Sequence, residues 1–242
     1  MKKPYIGCAG WNIPSADASA FPSGGSHLQR YAAVFSAVEI NSSFYRSHRP
    51  STYARWRDSV PDTFRFSIKI PRDITHNQRL RSSGELLERF LYEVSHLEEK
   101  LGCLLLQLPP SLAFVQADVA DFLARLRERF DGYVVCEPRH RSWNDGAARQ
   151  MLQTWSVARA IADPEPVPSS PIPATDVRYF RLHGSPEMYA SSYSDDFLTA
   201  LAERLDEEMR LKRQVWCVFD NTMHGAATHN ALALRNLFSP SH

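Results

Sequence analysis

The chain has 242 residues, 43% apolar and 23% charged, with 28 lysines and arginines against 27 acidic residues and a formal net charge of +1. That balance is the profile of an ordinary globular protein and argues against a chain built to coat nucleic acid or an anionic membrane. No apolar run approaches the roughly 20 residues of a membrane span, and the start MKKPYIGCAGW lacks the long apolar core of an export signal, so a cytoplasmic protein away from membranes is expected.

Short runs rich in Val, Ile, Tyr and Phe alternate along the chain with longer segments of helical period. Strands are expected over residues 5–9, 37–41, 64–70, 102–108, 133–137, 157–163, 177–183 and 214–220. Between them lie apolar stripes with helical spacing, among them Leu86, Leu87, Phe90, Leu91, Val94 and Leu97, then Val119, Phe122, Leu123, Leu126 and Phe130, then Phe197, Leu198, Leu201, Leu205 and Met209. These stripes predict helices packed on one face, the last capped by Ser194 with Asp195 and Asp196 in its first turn, where negative charge suits the helix dipole. Runs such as LGCLLLQL and YVVCE are apolar at successive positions, as strands covered on both faces must be. Cys8, Cys103, Cys136 and Cys217 each sit inside such a run with no C-x-x-C pair, which points to reduced core residues and away from disulfides or a zinc site.

Repeated strand–helix units require a parallel sheet. Eight of them in a chain of this length predict a single domain over residues 1–242 folded as a closed (β/α)₈ barrel of the TIM type, with an open doubly wound sheet as the alternative. One unit departs from the scheme. PEPVPSSPIP follows Asp163 where the sixth helix belongs, and five prolines in ten residues replace that helix by an extended connection.

In parallel α/β folds the loops at the carboxyl ends of the strands converge, and ligands bind there. Those ends offer Trp11, then Glu39 and Asn41, Lys69, Gln107, Glu137 with Arg139 and His140, Asp163, Arg181 and His183, and finally Asp220 and Asn221. Glu137 is the first candidate for a general acid or base, because burial raises a carboxyl's proton affinity toward a useful range. A structural ion pair with Arg139, Arg181 or Lys69 is its alternative. His183 is a candidate for proton transfer, and Lys69 for holding an anionic substrate or, less readily, for forming a Schiff base. Around these three catalytic candidates, Arg139 and Arg181 are expected to hold negative charge, Trp11, Phe44 and Tyr45 to wall the site, and Asn41, Gln107, His140, Asp220 and Asn221 to contact the substrate. No cofactor is required. A divalent metal held by Glu137, Asp163, His183 and Asp220 is an alternative that no H-e-x-x-H spacing supports.

A second reading concerns residues 46–81, where nine basic side chains (Arg46, Arg49, Arg55, Arg57, Arg65, Lys69, Arg72, Arg79 and Arg81) face three aspartates. With Phe44, Tyr45, Tyr53 and Trp56 interleaved, this rim suits a non-catalytic binder of nucleotides or nucleic acid, although no glycine-rich phosphate loop accompanies it.

The segments IGCAGW, VEINSSFYR, FRFSIKIPRDITHNQRL, LLLQLPPSL, CEPRHRSW, YFRLHG and NTMHGAATHNALAL, taken in order, resemble the motifs of the family called domain of unknown function 72, or YecE-like. The resemblance spans nearly the whole chain. It implies a TIM-type barrel and carries with it no reaction, cofactor or catalytic residue. Two positions depart from the family pattern: Pro138 follows the motif glutamate where an aromatic is usual, and Asp220 stands where Asn is usual. The reading that results is acid/base chemistry of isomerase, lyase or hydrolase type on a small polar, anionic substrate such as a phosphorylated one.

Overall fold

Parallel strands cannot be joined by tight turns, so a crossover must follow each one. The computed structural model describes residues 3–165 and 175–239 and obeys that rule through most of its length. Its strands are β1 (Tyr5–Cys8), β2 (Ala37–Ile40), β3 (Arg65–Lys69), β4 (Leu101–Gln107), β5 (Tyr133–Glu137), β6 (Val157–Arg159), β7 (Ile161–Asp163), β8 (Val177–Leu182) and β9 (Gln214–Phe219). The helices are α1 (His27–Ala32), α2 (Ser42–Tyr45), α3 (Pro50–Asp58), α4 (Gly84–Val94), α5 (Gln116–Arg127), α6 (Gly146–Thr154), α7 (Asp195–Arg210) and α8 (Ala226–Leu237). None of the helices among the described residues is long and apolar enough to cross a membrane.

The helical stripes do what their spacing predicts. Leu87, Phe90, Leu91 and Val94 of α4, Val119, Phe122, Leu123 and Leu126 of α5, and Leu198, Leu201 and Leu205 of α7 are all buried, as is Leu97, while Leu86, Phe130, Phe197 and Met209 are half-buried against the same core. The Ser194 side chain accepts from the Phe197 amide at 3.3 Å, capping α7 with Asp195 and Asp196 in its first turn. All four cysteines are free and buried.

The closed eight-stranded barrel is not what forms. The strands make two parallel sheets, one of four in the order β1-β9-β8-β7 and one of five in the order β2-β3-β4-β5-β6. One break lies within the expected strand 157–163. Its first half, β6, pairs with β5, and its second half, β7, pairs with β8. Ala160 donates to Cys136 O at 2.9 Å, and from Ile161 onward the bonds go to β8, so neither half carries bonds to both neighbours. The proline-rich connection expected next to it falls mainly on residues 166–174, which lie outside the described residues.

The other break lies between β1 and β2, where side-chain hydroxyls replace the ladder. Tyr31 on α1 receives the Cys8 amide at 2.7 Å and donates to Ala37 O at 3.1 Å, and Ser36 Oγ receives the Ile6 amide at 3.1 Å. Direct backbone contact resumes only at the carboxyl ends, through the bridge Ala9–Glu39 and the bond from Gly10 N to Glu39 O at 2.9 Å. This seam is also why Gly7 has no side chain: a Cβ there would lie 1.9 Å from Ala37 O.

Side chains from both sheets meet in an inner apolar cluster that includes Ala37, Cys103, Leu105, Val135, Tyr179 and Trp216. Alternate residues such as Leu104, Leu106 and Val134 pack outward against the helices. Sequential strand ends, with their polar residues, therefore gather at one end of the molecule. Because the Tyr31 hydroxyl satisfies two buried backbone groups at once, Tyr31→Phe is expected to cost about 2 kcal/mol of unfolding free energy, measured by urea denaturation with an unchanged m-value.

Candidate functional site

The carboxyl ends of β2, β5, β8 and β9 deliver a buried cluster organised on one cation. Arg181, on β8, is 1% exposed, and each of its nitrogens has a carboxylate partner. Nε and Nη2 reach Glu39 at 3.0 and 2.8 Å, Nη1 reaches Glu137 Oε2 at 3.1 Å, and Nη2 also reaches Asp220 Oδ2 at 2.9 Å. The Tyr179 hydroxyl, 2.8 Å from Glu39 Oε2, supports the first of these carboxylates. The remaining oxygen of Glu137 takes both Nε and Nη2 of Arg139, at 3.0 and 2.9 Å. His183 lies between the other two acids, with Nδ1 3.1 Å from Asp220 Oδ2 and Nε2 3.4 Å from Glu137 Oε1.

This arrangement reverses the proton affinity expected of Glu137. Burial alone would raise it, but Arg181, then His183 and Arg139, hold the carboxyl well below the usual carboxylate range. Asp220 is lowered likewise, with Arg181 and His183 overcoming its burial. His183 moves up: burial opposes its charge, and the hydrogen bonds to Asp220 and Glu137 outweigh that. The imidazole is thus the group of this cluster that carries an exchangeable proton, and Glu137 acts as its counter-charge. Among the described residues no group of three or more His, Cys, Asp or Glu side chains is disposed to hold a metal ion, and Arg181 occupies the centre of the acids.

Lys69, the last residue of β3, is different. Its side chain is buried and its ammonium lies 4.1 Å from the centroid of the Phe44 ring, yet it makes no hydrogen bond or ion pair with any described residue. Burial, then repulsion from Arg181, lowers its pKa to about 8 against the partial support of Glu39, Asp220 and Glu137. Phe44 also meets the edge of His76, at 4.9 Å between centroids. Burial, followed by repulsion from Lys69, Arg72 and Arg139, depresses His76 to about 4, so it is uncharged at neutral pH.

The other expected site residues divide. Asn221 Nδ2 ties Ser191 O and Asn230 Oδ1 at 2.9 and 3.0 Å, holding the loop after β8, while its buried Oδ1 has no partner among the described residues. Asn41 Oδ1 is buried and unpartnered as well. Gln107 is buried in register with Glu137. His140 is local scaffolding, its Nδ1 receiving the Ser142 amide at 3.2 Å. Trp11 packs edge-on against Trp56, at 5.1 Å between centroids, in an aromatic group with Tyr53 and His48. Tyr45 is 75% exposed beside Phe44. Of the four aromatics expected on the basic rim it alone is exposed. Phe44 and Tyr53 are buried and Trp56 is half-buried, while Arg57 pairs with Asp58 and Glu98, and Arg81 with Asp118.

The sequence reading placed Glu39 among the strand ends but gave it no role, and it passed over Tyr189 and His76. Glu39 had a signal, a lone charge between Val38 and Ile40 in an apolar run. Tyr189 and His76 had none. Tyr189 sits at φ +67°, a left-handed conformation costly for a residue with a side chain. There its hydroxyl lies 3.3 Å from Arg139 and its ring meets His183 edge-on at 5.5 Å.

Comparison with known proteins identifies the family and the fold. The family model described as "Protein of unknown function DUF72" matches residues 5–242. The chain belongs to that family. Among curated relatives, the UPF0759 protein YecE of Escherichia coli K12 is 31% identical over 167 residues, covering 67% of this chain but only 60% of that protein. The UPF0759 protein YunF of Bacillus subtilis 168 is 24% identical over 96% of this chain and 94% of its own length. Among solved structures, a DUF72 family protein of Thermotoga maritima MSB8 superposes with a TM-score of 0.82 at 28% identity, covering 98% of this chain and 99% of the other. One from Enterococcus faecalis V583 gives 0.82 at 22% identity, with 99% and 97% covered. The family is one of uncharacterised proteins, and no reaction comes with it.

Two stability measurements separate the paired cation from the unpaired one. Arg181→Met leaves Glu39, Glu137 and Asp220 buried without their counter-ion, and should cost about 3–5 kcal/mol in urea denaturation. Lys69→Met should do the opposite. Because its folded pKa lies below the unfolded value, the buried ammonium destabilises the native state at neutral pH, and the substitution should gain about 2 kcal/mol at pH 7. That gain should shrink as pH rises from about 8 toward 10.5, where native Lys69 is already neutral while the unfolded chain still binds its proton.

Proposed function

We propose that the carboxyl ends of the strands form the site of an enzyme that moves protons on a small anionic substrate, with Lys69 and His183 as the proton-carrying groups. The observation that carries this reading is the state of Lys69. An ammonium on a side chain only 8% exposed, with no hydrogen bond or ion pair to any described residue, beside a cluster in which each nitrogen of Arg181 is already engaged, is costly to keep unless something outside the chain uses it. Its pKa of about 8 lets it give or take a proton near neutrality.

Roles divide by geometry. Arg139, anchored on Glu137 and Tyr189 and still partly exposed, and Arg72, exposed beside His76, supply positive charge toward a phosphate or carboxylate. Arg181 acts on the carboxylates and not on the ligand. Glu137 positions His183 and Arg139. The unpartnered oxygens of Asn41 and Asn221 are acceptors suited to hydroxyl groups of a ligand.

Inorganic phosphate is the direct probe. At ten times its Kd it should raise the thermal midpoint by about 3–5 °C, corresponding to about 1.4 kcal/mol. The rise should vanish in the double variant Lys69→Met, Arg139→Gln and weaken above pH 8. An equal rise in that variant, or none in the natural chain with phosphate, sulfate or small carboxylates, overturns the reading. Once a library of anionic metabolites yields a turned-over compound, His183→Asn should lower kcat by about 10²–10⁴.

A further inference from the structure

Five of the 28 basic residues are lysines, at positions 2, 3, 69, 100 and 212, and the rest are arginine. Wherever a permanent cation is needed in the buried cluster, arginine supplies it. Lys69 alone places a primary amine among the strand ends. Its Nζ is bound to no carboxylate, the Phe44 ring lies against it, and Arg181 repels its proton from behind. The positive charge that would fix an anion is already provided by Arg72 and Arg139, whose charges, with that of Lys69, all act on the uncharged His76. An amine that merely held an anion would add little to such a set and would be served as well by a third guanidinium. An amine that must shed its proton to act as a nucleophile needs this desolvated, cation-flanked position.

We propose that Lys69 condenses with the aldehyde or ketone carbonyl of a small compound bearing a phosphate or carboxylate group, holding it as an imine. This inference rests on the anion-site reading above and names the chemistry its substrate must offer. The Nζ lone pair attacks the carbonyl carbon, the carbon–oxygen π pair moves to oxygen, and a proton passes from nitrogen to that oxygen to give a carbinolamine. The hydroxyl then leaves with the second nitrogen proton as water, forming the C=N bond. One water is released, and nothing is oxidised or reduced. An imine protonated on nitrogen withdraws electrons from the adjacent carbon, which makes it a sink for the proton transfers assigned to this site.

Reductive trapping tests it. The folded protein is incubated with glyoxylate, with glycolaldehyde phosphate or with uncharged propionaldehyde in the presence of cyanoborohydride, and labelled lysines are mapped by peptide mass spectrometry. Lys69 is expected to be modified at least about tenfold faster than Lys212 at pH 7.5, because its lowered pKa frees the amine. Both anionic aldehydes should outpace propionaldehyde at Lys69 only, and inorganic phosphate should slow that labelling. Lys69→Arg keeps the charge and should lose the label at this position while the phosphate-induced rise in thermal midpoint survives. Labelling of Lys69 no faster than that of Lys212, or without preference for the anionic aldehydes, overturns the inference. If phosphate still stabilises the protein in that case, the imine fails and the anion site stands; if it does not, both fail.

Discussion

A guanidinium with 1% of its surface exposed keeps its charge only if its surroundings replace the water it has lost. Arg181 meets that demand with acids drawn from both halves of the fold. Glu39 on β2 and Glu137 on β5 belong to the five-stranded sheet, while Arg181 itself is on β8 and Asp220 directly follows β9 in the four-stranded one. The two sheets share few backbone bonds, since hydroxyls mediate the β1–β2 seam and the ladder changes partner at Ala160. The buried ion cluster is therefore a bond between sheets as much as a feature of the site. Removing the cation would leave like charges facing one another in a low-dielectric space.

That constraint also sets the proton affinities around it. By engaging Glu39, Glu137 and Asp220, Arg181 takes the carboxylates out of competition for protons and leaves His183 and Lys69 to titrate. It presses on those two in the same direction, since its charge disfavours the proton on both, but only His183 has hydrogen-bonded acids to offset the pressure. Two basic residues a few strands apart thus stand on opposite sides of their ordinary values, His183 raised by its bonds to Asp220 and Glu137, and Lys69 lowered by burial and then by Arg181.

The order of strands, the buried helix faces and the Ser194 cap were legible in the sequence because each depends on local periodicity or a single side chain. Convergence of the strand-end residues was legible too, since it follows from parallel strands alone. Sheet closure was not. It turned on whether residues 157–163 hold one neighbour or two, and on a tyrosine hydroxyl from α1 entering the β1–β2 seam, neither of which leaves a mark in hydrophobic pattern. The shift at Glu137 was misjudged for a related reason: burial could be read from YVVCE, but the partners that outweigh it, Arg181 and His183, come from a strand more than forty residues on. Glu39 was visible as a charge inside an apolar run, whereas Tyr189 and His76 stand in loops where any polar residue would look at home.

The four thiols carry a consequence of their own. Cys103 lies in the inner cluster between the sheets and Cys8, Cys136 and Cys217 lie beneath the helices, and desolvation suppresses the thiolate of every one of them. A sulfur-seeking dye would find nothing to react with on the native surface. Its slow uptake would instead time the moments when individual layers part, giving the protein four built-in clocks spread through its interior.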